Sequence, residues 1–497
     1  MATGDVPIND GQLASAEDQP GQFRHVTNFL TDLQGFNRVR PGITNATFDP
    51  TNNAQTSGSP IIGMYVWTNP VDRYAYLVYV RADRYIVAKN LTTLVKTVLS
   101  TSDVTTQLDG NAAHPTFAED SVRLLIAGGG QIQTWDGAAA LSSRLATYTV
   151  GVNQPPLGAT HIAKLANYIV ANNVYPGSLN QFFWSALGDG NDTSWPPLNF
   201  NTADARPDPV VGVYENLREL YVFGTQTLQV YGITSDANLP FQASAALDLG
   251  TIAPYSPIRL DQTFAFLDYR RRFVQSDGRS FTPLSAAIDK ELQDLSAVAD
   301  CWGFRCRIGF WDLLIWVFPT ASMAYYYELN QQKWGRVRGW NGTDAFALIR
   351  MGAYAYYAQG NQHFIGDNLH ENVFTFDLNA RNDVAADGTL TLPIVAERTT
   401  GRLDWETTKR KRCNSVRLFL RRGTTASAAV EIMKSDDGGP WSSPFLVGLG
   451  SSDGDTTSWA DWYPGGIYRR RQYRIRYSNP TDTVISAIEE DYSVLAG

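Results

Sequence analysis

Short runs of alternating apolar and polar residues, each broken by a polar or glycine-containing turn, organise most of this chain. The clearest is RELYVFGTQTLQVYG, Arg218 to Gly232, which predicts a β-hairpin with Leu220, Val222, Leu228 and Val230 on one face and Gly224 in the turn. Comparable units are RYAYLVYVRADRYIVAKN around Val80, VRLLIAGGGQIQTWDG around Gly128 and HIAKLANYIVANN around Tyr168. Further along come QTFAFLDYRRRFVQSDG around Tyr269, DLLIWVFPTASMAYYYEL around Pro319 and AYYAQGNQHFIGDN around Gln359. That makes seven centres, 40 to 56 residues apart. Repeated hairpins at this irregular spacing predict four-stranded propeller blades, whose small sheets bury their faces only by packing on one another. The expected fold is all-β: a β-propeller body of six or seven irregular blades.

Helical periodicity is convincing in one stretch, Leu284 to Asp300, where Ile288, Leu292, Leu295 and Val298 recur at helical spacing and predict a short helix near 284–300. Residues 1–60 read as an N-terminal arm, mostly loop, with NFLTDLQGFNRVRPGI (Asn28 to Ile43) as its ordered part. Such an arm either reaches over a neighbouring subunit or supplies an outer strand to the last blade, and the pattern leaves both open. The body is expected over 61–389. After the polar linker RNDVAADGTLT, a separate C-terminal β module over 390–497 is expected, because SVRLFLRRG, AAVEIMKSDDGG and RRRQYRIRYSN alternate strictly. In it Val416, Leu418, Ile475 and Tyr477 are placed on one face of a sandwich or barrel.

Composition supports a large β protein: 24 Tyr, 23 Phe and 13 Trp favour strands over helical bundles. The net charge of −8 is unevenly spread, with 15 basic against 13 acidic residues from 390 onward and 26 against 36 before it. Three cysteines, Cys301, Cys306 and Cys413, form no even disulfide framework and read as reduced core thiols. The amino terminus is polar and acidic, unlike a secretory or transit segment, and no apolar run reaches the roughly 18 residues of a membrane helix. Synthesis in a reducing cytoplasm is the expectation.

No catalytic, cofactor-binding or metal-binding residue is assigned, and no cofactor is expected. The five histidines, His25, His114, His161, His363 and His370, lie in no ligand spacing and read as structural or solvated. The triplet Gly128 to Gly130 lacks the Lys and Ser or Thr of a phosphate loop. GDGNDTSW (Gly188 to Trp195) crowds oxygen ligands but lacks the trailing Glu of a calcium loop, so a solvated turn is expected. SDGRSF at Ser276 and SDDGGPW at Ser435 read as tight Asp-containing bends. Basic clusters at Arg270 to Arg272, Lys409 to Arg412, Arg421 to Arg422 and Arg469 to Arg471, with Arg474 and Arg476, raise nucleic acid as a ligand. The acidic whole argues instead for ion pairs and protein interfaces.

PVVGVYENLRELYVFGTQTLQVYG, followed by LPFQASAALDLGTIAPYSPIRLDQTFAFLDYRRRFVQSDGRSFTPLS, resembles the packaged-DNA stabilisation protein, or tail nozzle, of short-tailed bacteriophages. WSALGDGNDTSWPPLNFNTADARPDPVVGV is similar to the segment preceding this block in that family, so the resemblance runs from about Trp184 to Trp334. It implies a structural virion protein, not an enzyme, made in the bacterial host. A homohexameric ring below the portal and adaptor rings would retain packaged genome and conduct it during ejection. Tail fibre, spike or needle proteins would be neighbours, and double-stranded DNA would pass without sequence-specific binding. The family offers no catalytic or ligand motif to carry over. An acidic, repulsive lumen fits such a conduit, because only charges within a Debye length of about 8 Å act on the cargo. The alternative reading is a virion-surface propeller that binds a receptor or processes glycans; a cellular propeller scaffold is the weaker third.

Overall fold

The computed structural model describes residues 2–6, 25–32, 37–46, 58–100, 108, 110, 112–138, 141, 152–172, 179–384, 391–422, 429–448, 456–481 and 483–495. Among them, seven antiparallel sheets follow one another along the chain as propeller blades, one for each centre in the sequence. Their first strands are Ile61–Thr68, Thr116–Glu119, Ile162–Leu165, Val210–Asn216, Ile258–Arg259, Trp302–Ile308 and Ala353–Tyr357. These line the axis, and the first strand of blade seven packs against that of blade one, closing the ring.

Each gap between neighbouring blades holds its own core. Val80 and Ile86 meet Leu124 and Ile126 between blades one and two, and Leu125 and Ala127 meet Ile162 and Ile169 between two and three. Between blades five and six, Phe273 stacks on Trp316 with ring centroids 4.1 Å apart, and Trp334 stacks beyond it. Blade four shows why both faces must be apolar. Leu220 and Val222 face blade three beside Tyr231, whereas Leu228 and Val230 face blade five beside Tyr221 and Phe223. The expected sharing of one face by all four is therefore corrected: the register pairs Leu220 with Tyr231 and Val222 with Gln229, so the two strands offer their aliphatic residues to opposite sides.

The turn of this hairpin also differs from expectation. Gly224 ends its strand, and the bend is made by Thr225 to Thr227, whose three backbone N–H groups donate to the Asp208 carboxylate at 2.8–3.0 Å. Gly224 is required for another reason: a Cβ there would lie 2.2 Å from Asp208 Oδ2. The helix is shorter than expected, α1 (Asp289–Asp294). Leu284 and Ser285 are tied to blade five, since the Leu284 N–H donates to the Phe273 carbonyl and Ser285 Oγ accepts from the Phe273 N–H. Past the helix, Leu295 is already extended. Ile288, Leu292 and Val298 still bury together in the gap between blades five and six.

The ring is fastened by the N-terminal arm. Gly42–Asn45 pairs with Val373–Asp377 as the outermost strand of blade seven, so of the two roles open to the arm it takes the outer strand. Earlier pieces, His25–Thr27, Phe29–Thr31 and Asn37–Val39, enter the C-terminal module. That module is a β-sandwich whose two sheets enclose Val416, Leu418, Ile432, Trp462, Tyr473, Ile475 and Tyr477. One of its sheets is continuous with blade six. His25–Thr27 pairs with Lys333–Arg336 of that blade on one side and with Ala396–Thr399 of the sandwich on the other, giving a nine-stranded sheet. Ala2–Val6 pairs antiparallel with Val484–Val494 of the sandwich, whereas residues 7–24, 33–36 and 47–57 of the arm and 385–390 of the anticipated linker lie outside the described residues.

Candidate functional site

The axis is where a propeller offers a site, because the ends and loops of all its inner strands converge there. Here the inner strands and the loops that enter them carry rings. His161 stacks on Tyr255 at 4.6 Å and lies 5.5 Å from Tyr214. Tyr255 meets His114 at 5.3 Å, His114 meets Trp302 at 5.4 Å, and Trp302 leads through Phe304 to Tyr354. These two histidines were expected to be structural or solvated; both rest against Tyr255. Their signal was positional, since each immediately precedes or nearly precedes an inner strand. The rings fill the shaft, so it is a packed core and no conduit for a duplex whose grooves alone are about 6 and 12 Å wide.

The imidazoles are held neutral. Burial pushes His161 down to about 3 and His114 down to about 4. Unfolded, each titrates near 6.5, so between that pH and the folded value the unfolded chain binds protons that the folded chain refuses. Stability is therefore fully present above about pH 6.5 and falls on acidification at up to about 1.4 kcal/mol per pH unit for each buried imidazole. His161, 1% exposed, dominates over the partly exposed His114. Thermal melts from pH 7.5 to 4.5 should show this slope, and His161→Phe should flatten it; equal slopes in both proteins would refute the assignment.

The other residues singled out in sequence are committed locally. His363 Nδ1 lies 2.8 Å from Tyr354 Oη, and His25 approaches Glu291 at 3.8 Å. The three cysteines are buried free thiols whose pKa values burial raises. In GDGNDTSW, Asp189 accepts from the Asn191 N–H, Ser194 Oγ and Arg123, and in SDGRSF, Asp277 accepts from the Arg279 and Ser280 N–H groups. In SDDGGPW, Asp437 accepts from the Arg469 and Arg470 N–H groups. Among the described residues, no three His, Cys, Asp or Glu side chains are grouped to hold a metal ion.

The basic clusters are spent only in part within the chain, since Arg270, Lys409, Arg410, Arg412, Arg469 and Arg470 are exposed. Arg272 clasps Asp268 through two nitrogens, and Arg271 donates to the Gln293 and Leu295 carbonyls. Lys411 is fully buried against the Thr407 and Lys409 carbonyls. Arg474 and Arg476 flank Glu397, and Arg471 is buried between Asp436 and Glu490. The side chains of Arg421 and Arg422 lie outside the described residues. The paired guanidinium groups of Arg272, Arg471, Arg474 and Arg476 present little free charge to a phosphate backbone.

A pocket of about 270 Å³ opens at one end of the shaft. Among the described residues that line it, Asp300 is the one carboxylate. Glycoside hydrolysis ordinarily needs two carboxyl groups about 5–9.5 Å apart, so the pocket lacks that pair.

The chain matches the model of the phage-stabilisation family, described as Bacteriophage P22 Gp10, β-propeller, over residues 80–381. No curated protein sequence matches. Among solved structures, it aligns with an exo-β-1,3-galactanase from Phanerochaete chrysosporium bound to galactose at 8% identity, covering 79% of this chain and 99% of that one, with a TM-score of 0.30. A variant of the same enzyme bound to β-1,3-galactotriose aligns at 9% identity, 79% and 98% coverage and a TM-score of 0.31. Superpositions this loose carry no argument about activity.

Proposed function

The chain belongs to the phage-stabilisation family of Bacteriophage P22 Gp10, and from that premise we propose that it is the wall subunit of a short-tailed phage's tail nozzle. In this reading, copies assemble into a ring, most simply a hexamer, that retains packaged DNA and passes it outward at ejection. The observation that carries the reading is the filled shaft. Because His161, Tyr255, His114, Trp302 and Phe304 occupy the centre of the propeller, a passage for DNA must run between copies.

Two further features favour it. A separate core in every inter-blade gap makes a stiff block, which suits a wall under pressure. An excess of acidic over basic residues before residue 390 leaves a channel wall that repels phosphate instead of gripping it. The single carboxylate at the axis pocket disfavours a glycan-cleaving role.

Electron microscopy of the purified chain mixed with its portal and adaptor rings tests the proposal. Rings with a central channel between subunits, attached to the adaptor end, are expected. A particle that stays monomeric and never joins a virion would overturn it.

A further inference from the structure

Two strand edges on the surface are open and carry no charge. The outer strand of blade four, Phe241–Leu247, is seven residues long, whereas among the described residues the outer strands of the other six blades have three or four. Several of those short edges are also guarded. Lys96–Val98 opens on a lysine paired with Glu371, Phe281–Pro283 ends on a proline, and Lys333–Arg336 is covered by His25–Thr27. In Phe241–Leu247 the first residue is a buried anchor and the rest are Gln, Ala, Ser and Leu, with Gln242, Ala243, Ser244 and Ala246 exposed. Its one irregularity is a bulge at Ser244, whose hydroxyl donates to the Val230 carbonyl at 3.1 Å, so regular pairing continues on either side. The second edge ends the nine-stranded sheet on the sandwich. Phe445–Gly448 pairs with Ala429–Asp436 and, among the described residues, with no strand beyond. It too is uncharged: Val447 is buried in the sandwich, Leu446 is 64% exposed, and Phe445, stacked on Trp462, is 49% exposed. The nearby strand of the other sheet, Thr456–Trp462, by contrast carries Asp461, which Arg417 holds at 2.7 Å.

An open edge presents unpaired amide groups to any passing strand, and natural sheets ordinarily blunt it with charges, prolines or a covering segment. The two edges left unblunted here complement each other. Blade four offers small side chains, while the sandwich offers Phe445 and Leu446, which need a shallow apolar floor. Neither brings a charge that pairing would strip of water. Blade four against its own copy would set alanine on alanine and leave Leu446 in solvent. The edges also lie on different parts of the molecule, one on blade four and the other on the sandwich that continues blade six. A head-to-tail ring requires two such unlike surfaces on every subunit. We propose that copies of this chain join by strand addition, Phe445–Gly448 of one copy extending the blade-four sheet of the next along Phe241–Leu247. The proposal rests on the nozzle reading and deepens it by naming the contact that builds the ring.

The test uses the full chain assembled on its portal and adaptor rings. Ala246→Cys combined with Leu446→Cys should, on oxidation, give a ladder of covalently linked copies on a denaturing gel, and either cysteine alone should give none. The native cysteines are buried and add no links. Ala246→Lys should lower the yield of rings about tenfold or more without lowering the melting temperature, because it sets a charge against Leu446 at every contact. Adding Leu446→Glu should restore the rings, since the new charges then oppose each other across the pair. Should Ala246→Lys fold poorly, Ala243→Lys replaces it. Rings that give no ladder, or that tolerate the lysine unchanged, would overturn the strand addition and leave the nozzle reading standing. Linked dimers from Ala246→Cys alone would also overturn it, by showing blade four paired with itself. A wild-type chain that forms no ring at all would overturn both.

Discussion

Replacing Arg471 by methionine is expected to destabilise the protein by about 3–5 kcal/mol, because it strands a buried anion. The Arg471 side chain is wholly buried in the sandwich, lies 4.0 Å over the Tyr468 ring and donates to Asp436 at 2.5 and 3.0 Å. It also donates to the Gly465 carbonyl at 2.9 Å and meets Glu490, 3.4 Å away and equally buried, which accepts the Tyr468 hydroxyl. Asp436 reaches solvent and can be hydrated when the guanidinium is gone; Glu490 cannot. The sign of the second change follows. Adding Glu490→Leu to Arg471→Met should recover most of the loss, since a buried pair replaced by apolar groups is often neutral. Urea melts of the single and double variants measure this, and a double variant no more stable than the single one would contradict it.

Arg40→Met should cost a comparable amount, about 3–5 kcal/mol, and should act on closure of the propeller. Arg40, 3% exposed, holds Asp383 with both terminal nitrogens and also donates to Asn28 Oδ1 and the Pro41 carbonyl. Asp383 in turn accepts the Ile43 N–H of the closing strand. Asn28 is itself pinned, at φ 58°, by the Arg338 and Val395 carbonyls. Removing the guanidinium leaves Asp383 buried and loosens the strand that seals blade seven. Amide exchange should then rise first in Gly42–Asn45 and Val373–Asp377. Uniform exchange across all blades would refute the local role.

The seven blades were legible because, the outer strand of blade seven apart, each is built from neighbours in sequence: strands of two to eight residues, short turns and an alternation that survives in any order of packing. What escaped was long-range or steric. Ile43 pairs with Phe376 across more than 300 residues, and nothing in GITN distinguishes a closing strand from a strap on another subunit. The facing of Leu228 and Val230 depended on register, which a one-residue change in the turn reverses. Gly224 looked like a turn glycine, yet its need arises from Asp208, sixteen residues upstream in another loop. The shaft was half visible. His114 and His161 were read as structural or solvated, and their meeting with Tyr255 and Trp302 requires ring closure, which no local motif announces.

The strand at His25–Thr27 stitches blade six to the sandwich through backbone hydrogen bonds on both edges. A joint of that kind has no hinge. On the blade-six side the pairing is Thr27 with Arg336, extended by the Asn28 N–H to the Arg336 carbonyl, so for the sandwich to swing these backbone bonds would have to break. Torque applied at the carboxy-terminal lobe is delivered to Trp302 and the rings around it.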